Sequence, residues 1–192
     1  MSTYPIRTRR WTRREYHRLI DLGILHEDEP IELLGGQLVV SEPKSSLHST
    51  AVRLVAEALR RAFGAGWLVN TQDPIAADDE SEPEPDVAVV WGSIRDYRDE
   101  HPANAALVVE VALASLAFDR RHKGSLYARA GVVDYWIVNL IDRIVEVRRR
   151  PAPDLAADYG AAYQDIVIAQ PGTVLTPLAK PDARIAVDDV LP

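Results

Sequence analysis

The stretch Ala106–Leu140, "ALVVEVALASLAFDRRHKGSLYARAGVVDYWIVNL", decides how this chain folds. Its opening, Ala106–Leu113, is apolar except for Glu110 and reads as a buried strand. "DRRHKGSLYARAG" (Asp119–Gly131) reads as a helix that Gly131 closes. "VDYWIVNLIDRIVEVRRR" (Val133–Arg150) reads as two strands joined by a tight turn near Leu140–Arg143. A strand, a crossover helix and further strands predict an α/β (α+β) fold built on a mixed β-sheet flanked by helices.

Towards the N-terminus, "DVAVVW" (Asp86–Trp91) is a second strongly apolar strand, and "WLVNTQ" (Trp67–Gln72) a third. Leu47–Phe63 reads as a helix with His48, Val52, Val55, Leu59 and Ala62 on one face. "PIELLGGQLVVS" reads as a hairpin turning at Gly35-Gly36. "TRREYHRLIDLG" reads as a helix opened by the capping-box pair Thr12 and Glu15. Beyond Pro151 the chain reads as irregular, with strands at Asp165–Ala169 and Arg184–Val187. We expect a single domain over residues 1–192, with a basic N-terminal helix in residues 1–24 and irregular C-terminal strands in 151–192.

Composition narrows the chemistry. The 192 residues are 47% hydrophobic and 27% charged, an ordinary globular balance. No apolar run approaches a membrane span, so no membrane partner and a cytoplasmic location are expected. With no cysteine, disulfides, thiolate metal sites and cysteine nucleophiles are excluded. The net charge is -7, yet residues 1–18 carry six arginines (Arg7, Arg9, Arg10, Arg13, Arg14, Arg18) against Glu15 alone. Such an arm could touch phosphates, or be the solvated face of a first helix. The acids from Asp78 to Glu82 read as a solvated loop.

Glu110 is costly inside so apolar a strand unless it is paired or bound to a cation. Asp86 opens the neighbouring apolar strand. Two carboxylates on adjacent buried strands repel unless a cation separates them, and oxygen-only ligands suit magnesium or manganese. Glu32 in the hairpin is a third candidate ligand, or a surface glutamate. Asp119, Lys123 and Tyr127 share one helix face. The Asp119–Lys123 pair is either a surface ion pair or part of a site where the ammonium orients water and stabilises phosphoryl charge. His48 begins an apolar helix face, as a core histidine or a site residue. Gln72 ends a strand and could donate a hydrogen bond there. No nucleophile elbow, P-loop, dinucleotide fingerprint or zinc-protease motif occurs.

Taken together, "IELLGGQLVVSEPKSSLHSTAVRLV", "TQDPIAADDESEPEPDVAVV" and "VVEVALASLAFDRRHKGSLYARAGVVDYWIVNL" resemble the Uma-type putative restriction endonuclease family of the PD-(D/E)XK nuclease superfamily, over about Trp11–Arg150. The resemblance implies a restriction-endonuclease-like core and a magnesium- (or manganese-) dependent endonuclease acting on DNA. By position, Asp86, Glu110 and Lys123 match the catalytic set. Glu32, Asp86, Glu110 and the carbonyl of Val111 match metal ligands, and His48, Gln72 and Tyr127 match supporting positions. Lys123 stands in the helix, whereas the superfamily's usual lysine slot is here Ala112. The chain also departs from the family in Gly35-Gly36-Gln37, in the apolar Ala112-Leu113-Ala114, and in Asn139. That apolar segment removes polar support from the site. It keeps a second reading open, a nuclease-fold nucleic-acid or protein interaction module with weakened or lost turnover. A homodimer would supply the two sites needed to cut both strands of a duplex.

Overall fold

The computed structural model describes residues 8–26, 29–41 and 43–192, so Arg7 of the basic arm lies outside the described residues. Helix α1 (Arg13–Asp21) starts at the expected capping box, with Thr12 and Glu15 each bonded to the other's backbone. Strands β1 (Ile31–Leu34) and β2 (Gln37–Val40) form an antiparallel hairpin. Its turn residues Gly35 and Gly36 both have positive φ (56° and 77°), which is why glycines stand there. Helix α2 (Ser46–Phe63) follows, capped by the Ser45 hydroxyl.

The central sheet has six strands in the order β3-β4-β5-β6-β7-β8. They are β3 (Trp67–Asn70), β4 (Val87–Trp91), β5 (Leu107–Ala112), β6 (Asp134–Asn139), β7 (Ile144–Pro153) and β8 (Ala161–Ala169). Neighbours are antiparallel except β5 and β6, which run parallel. A parallel neighbour needs a crossover, and the helical segment of Leu116–Arg129 supplies it. That segment is α3 (Leu116–Phe118), a π-helical turn (Asp119–Lys123) and α4 (Gly124–Arg129). The mixed sheet flanked by helices agrees with the fold read from the sequence.

Strand alternation divides the core into two layers. Leu107, Val109 and Val111 of β5 pack with Trp136 and Val138 under α2. Val108 and Ala112 pack with Tyr135, Ile137, Leu126 and Tyr127 on the opposite face. Glu110 points into this second face, beneath the crossover helix.

Two local expectations are corrected. Strand β7 continues past Pro151 to Pro153, and β8 begins at Ala161, so more of the C-terminal part is sheet. The pairing is interrupted at Arg150 (φ 57°) and resumes at Pro151–Tyr163, a break that lets prolines enter the strand. In the Asp78–Glu82 segment Asp79 is exposed, as a solvated loop requires, but the other acids are paired. Glu82 is buried, held by Arg13 Nε at 2.8 Å and His17 Nε2 at 2.7 Å. Arg10 pairs with Glu80, and Arg129 with Asp78. Part of the basic arm therefore serves to dock α1 on the acidic segment. Among the described residues, no helix is long and apolar enough to cross a membrane.

Candidate active site

Separate elements deliver the site residues to one place. Pro83 and Pro85 bias the chain towards an extended form, and Asp86 follows them at the threshold of β4. Glu110 projects from the middle of β5, and Glu32 comes from the hairpin strand β1. Lys123 lies in the π-turn and Tyr127 one turn later in α4. His48 is in the first turn of α2, and Gln72 lies just beyond β3.

The eight residues matched by position to the family's site belong to one connected network. Lys123 Nζ donates to Glu110 Oε1 at 3.0 Å and stands 3.5 Å from Glu32 Oε2. The Tyr127 hydroxyl donates to the same Glu110 oxygen at 2.7 Å. The Asp86 N–H donates to Glu110 Oε2 at 3.3 Å, and the Val111 N–H to Asp86 Oδ2 at 2.9 Å. His48 Nε2 is 3.1 Å from Asp86 Oδ2, and Gln72 Nε2 donates to Asp86 Oδ1 at 3.3 Å. Gln72 reaches that position in a left-handed backbone conformation (φ 59°). Its N–H donates to the carbonyls of Pro85 and Asp86.

Three residues beside or within this network carry weaker sequence signals. Asp119 is buried rather than part of a surface pair, and accepts from the Ser115 hydroxyl at 2.6 Å. Ser41 donates to Glu32 Oε1 at 2.9 Å. The Glu84 N–H donates to Glu32 Oε2 at 3.0 Å, and its place two residues before Asp86 was the available signal.

Glu32, Asp86, Glu110 and Asp119 are buried carboxylates, and Lys123 is the buried ammonium among them. Burial and the nearby Asp86, Asp119 and Glu32 push Glu110 up to about 8, against the pull of Lys123. Burial likewise pushes Asp119 up to about 6. Burial also acts to raise Asp86, but the His48 imidazole and the Val111 amide outweigh it and hold its carboxyl below the usual range. Burial opposes charge on Lys123, yet Glu110, Glu32 and Asp119 together keep it firmly protonated. Environment thus separates the carboxylates, with Asp86 ionised and Glu110 retaining a proton more readily.

The acidic donor set is all oxygen, and its buried negative charge exceeds what Lys123 balances. By chemistry these residues fit a hard divalent cation. Among the described residues, no three His, Asp or Glu side chains are arranged to hold a metal ion as they stand. Each of the six carboxylate oxygens of Glu32, Asp86 and Glu110 instead accepts a hydrogen bond from the protein.

The chain and its fold are similar to known proteins. A family model described as "Uma2: Putative restriction endonuclease" matches residues 13–188. Among curated proteins there is no significant match. The fold is similar to a solved structure described as a putative nuclease belonging to DUF820, from Anabaena variabilis ATCC 29413. That similarity has a TM-score of 0.65 at 14% sequence identity, and covers 90% of this chain and 96% of the other.

Proposed function

The chain belongs to the Uma2 family, and from that premise we propose that it is a divalent-metal-dependent endonuclease hydrolysing DNA phosphodiester bonds. The observation that carries the proposal is the buried network joining Glu32, Asp86 and Glu110 to Lys123. Glu32, Asp86, Glu110 and the Val111 carbonyl would hold Mg²⁺ or Mn²⁺. Such an ion supplies Lewis-acid stabilisation of phosphoryl charge and activates water.

The protein's own groups do the rest. The Lys123 ammonium donates hydrogen bonds to the attacking water and to a phosphoryl oxygen as charge builds there. The Tyr127 hydroxyl fixes the Glu110 carboxyl. His48 and Gln72 fix the two oxygens of Asp86, and His48 favours its ionised form. Each oxygen of the three acids accepts a hydrogen bond from the protein, so an ion held there would replace some of these donors. A homodimer would place two such sites on a duplex.

The test is cleavage of plasmid and single-stranded DNA with Mg²⁺ or Mn²⁺ by wild type, Asp86→Ala and Lys123→Ala. Activity in the wild type and its loss in both variants is expected. Equal activity in all three would assign the cleavage to a contaminant and end the proposal.

A second reading is favoured by the absence, among the described residues, of three His, Asp or Glu side chains arranged to hold a metal, and by the apolar Ala112-Leu113-Ala114 beside Glu110. In it the chain is a non-catalytic nucleic-acid or protein interaction module. Calorimetry with Mn²⁺ separates the two. Retained DNA binding without metal binding at millimolar concentration supports the module.

A further inference from the structure

A second charged cluster lies beside the candidate active site. Glu110 pairs in register with Ile137 of β6, and Ile137 with Glu146 of β7. Glu110 and Glu146 therefore stand in one row, on the same sheet face, two strands apart. Glu146 is 1% exposed, a costly place for a carboxylate without partners. Its Oε1 accepts from Arg120 Nε at 2.8 Å, and its Oε2 from Arg148 Nη2 at 2.6 Å.

Both arginines lead to the π-turn that carries Lys123. Arg120 belongs to the turn, so its side chain ties the turn to β7. Arg148 also donates from Nη1 to the Arg120 carbonyl at 3.3 Å, and the Tyr135 hydroxyl donates to the Asp119 carbonyl at 3.0 Å. A π-turn widens the helix and disturbs its regular carbonyl pairing, so sheet donors to two successive carbonyls hold that geometry. The approach is close. A Cβ on Gly124 would stand 3.3 Å from the Asp119 carbonyl, 3.7 Å from the Tyr135 ring and 4.0 Å from Arg148 Nη1. The turn thus reaches two carboxylates in one row, Lys123 to Glu110 and Arg120 to Glu146.

We propose that Glu146, acting through Arg120 and Arg148, is a positioning residue that fixes the π-turn and so aims Lys123 at Glu110 and Glu32. The inference rests on the reading of Lys123 as the group that works on the phosphate. Glu146 touches none of the reacting atoms. Its part is to set where the ammonium sits, for which small displacements are costly.

Arg120→Ala is the main variant, because Arg120 is 42% exposed at its side chain and its removal leaves the buried Glu146–Arg148 pair intact. Arg120→Lys restores a cation. Two readouts are taken on the full chain: steady-state DNA cleavage with Mn²⁺, and the nitrogen-edited NMR signal of the Lys123 ammonium. The NMR signal needs no activity, and Lys44 and Lys180 are the only other lysines. In Arg120→Ala, kcat is expected to fall about tenfold or more with KM nearly unchanged, as for supporting residues around other sites. The Lys123 signal should shift, and Arg120→Lys should recover most of both effects. An unchanged kcat with an unmoved Lys123 signal would overturn the inference. A raised KM at constant kcat would also overturn it, since Arg120 would then be a DNA contact. If wild type cleaves nothing, the nuclease reading fails, and the NMR comparison still decides the positioning.

Discussion

Gln72 shows how much one residue gives up at this site. Its left-handed backbone (φ 59°) is unfavourable for a side chain with a Cβ, and it delivers the amide to Asp86. Gln72→Gly should relieve that conformation but strip the buried Asp86 Oδ1 of its donor, a net loss of about 1 kcal/mol of stability together with lower cleavage. Chemical denaturation and a cleavage assay check both. Glu110 makes a second prediction. Its carboxyl, pushed up to about 8, keeps a proton that a cation must displace. Mn²⁺ affinity should therefore be weak near about pH 6 and stronger near about pH 9, measured by calorimetry. The sign for stability is opposite. Without a cation, Glu110 costs the fold stability as pH rises from its ordinary 4.5 towards about 8, because the unfolded chain releases that proton first. Glu110 and Asp86 could be found in the sequence because each is an acid beside an apolar strand. Ser41 and Asp119 could not be ranked in that way, since a serine after a hairpin and an acid opening a helix are common on surfaces.

At the scale of elements, the strand–helix–strand core was readable because hydrophobic period and turn residues agree along it. The hairpin was readable for the same reason, and its turn permits a sharp test. Gly35 has positive φ (56°), and a Cβ there would run into the Tyr159 ring. Gly35→Ala should cost about 1–3 kcal/mol by denaturant unfolding, and lower activity through the displacement of Glu32. No sequence signal announced the π-turn at Asp119–Lys123. Its residues have helical spacing, and its widening depends on donors from Tyr135 and Arg148 on strands that arrive later in the chain. The burial of Glu82 in the acidic segment was not legible for a related reason. Its partners Arg13 and His17 lie more than sixty residues away in sequence, and charge alone does not disclose such a pairing.

Across the whole molecule, β8 ends the sheet as an edge strand. Ile166, Val167 and Ile168 are 51%, 60% and 48% exposed there, three successive β-branched residues beside unpaired backbone. Edges of this kind pair readily with other strands. Val167→Lys should reduce concentration-dependent self-association in light scattering while leaving the melting temperature nearly unchanged. The central claim concerns the site beneath the crossover helix, where Glu32, Asp86, Glu110 and Lys123 meet. A crystal soaked with Mn²⁺ and measured for anomalous scattering tests it most directly. The account predicts a peak about 2.2 Å from oxygens of Asp86 and Glu110, with Glu32 or the Val111 carbonyl completing the protein ligands and Lys123 facing the ion's open side. No peak at that site at millimolar Mn²⁺, with the carboxylates still bonded to Lys123, Gln72 and the backbone, would contradict it.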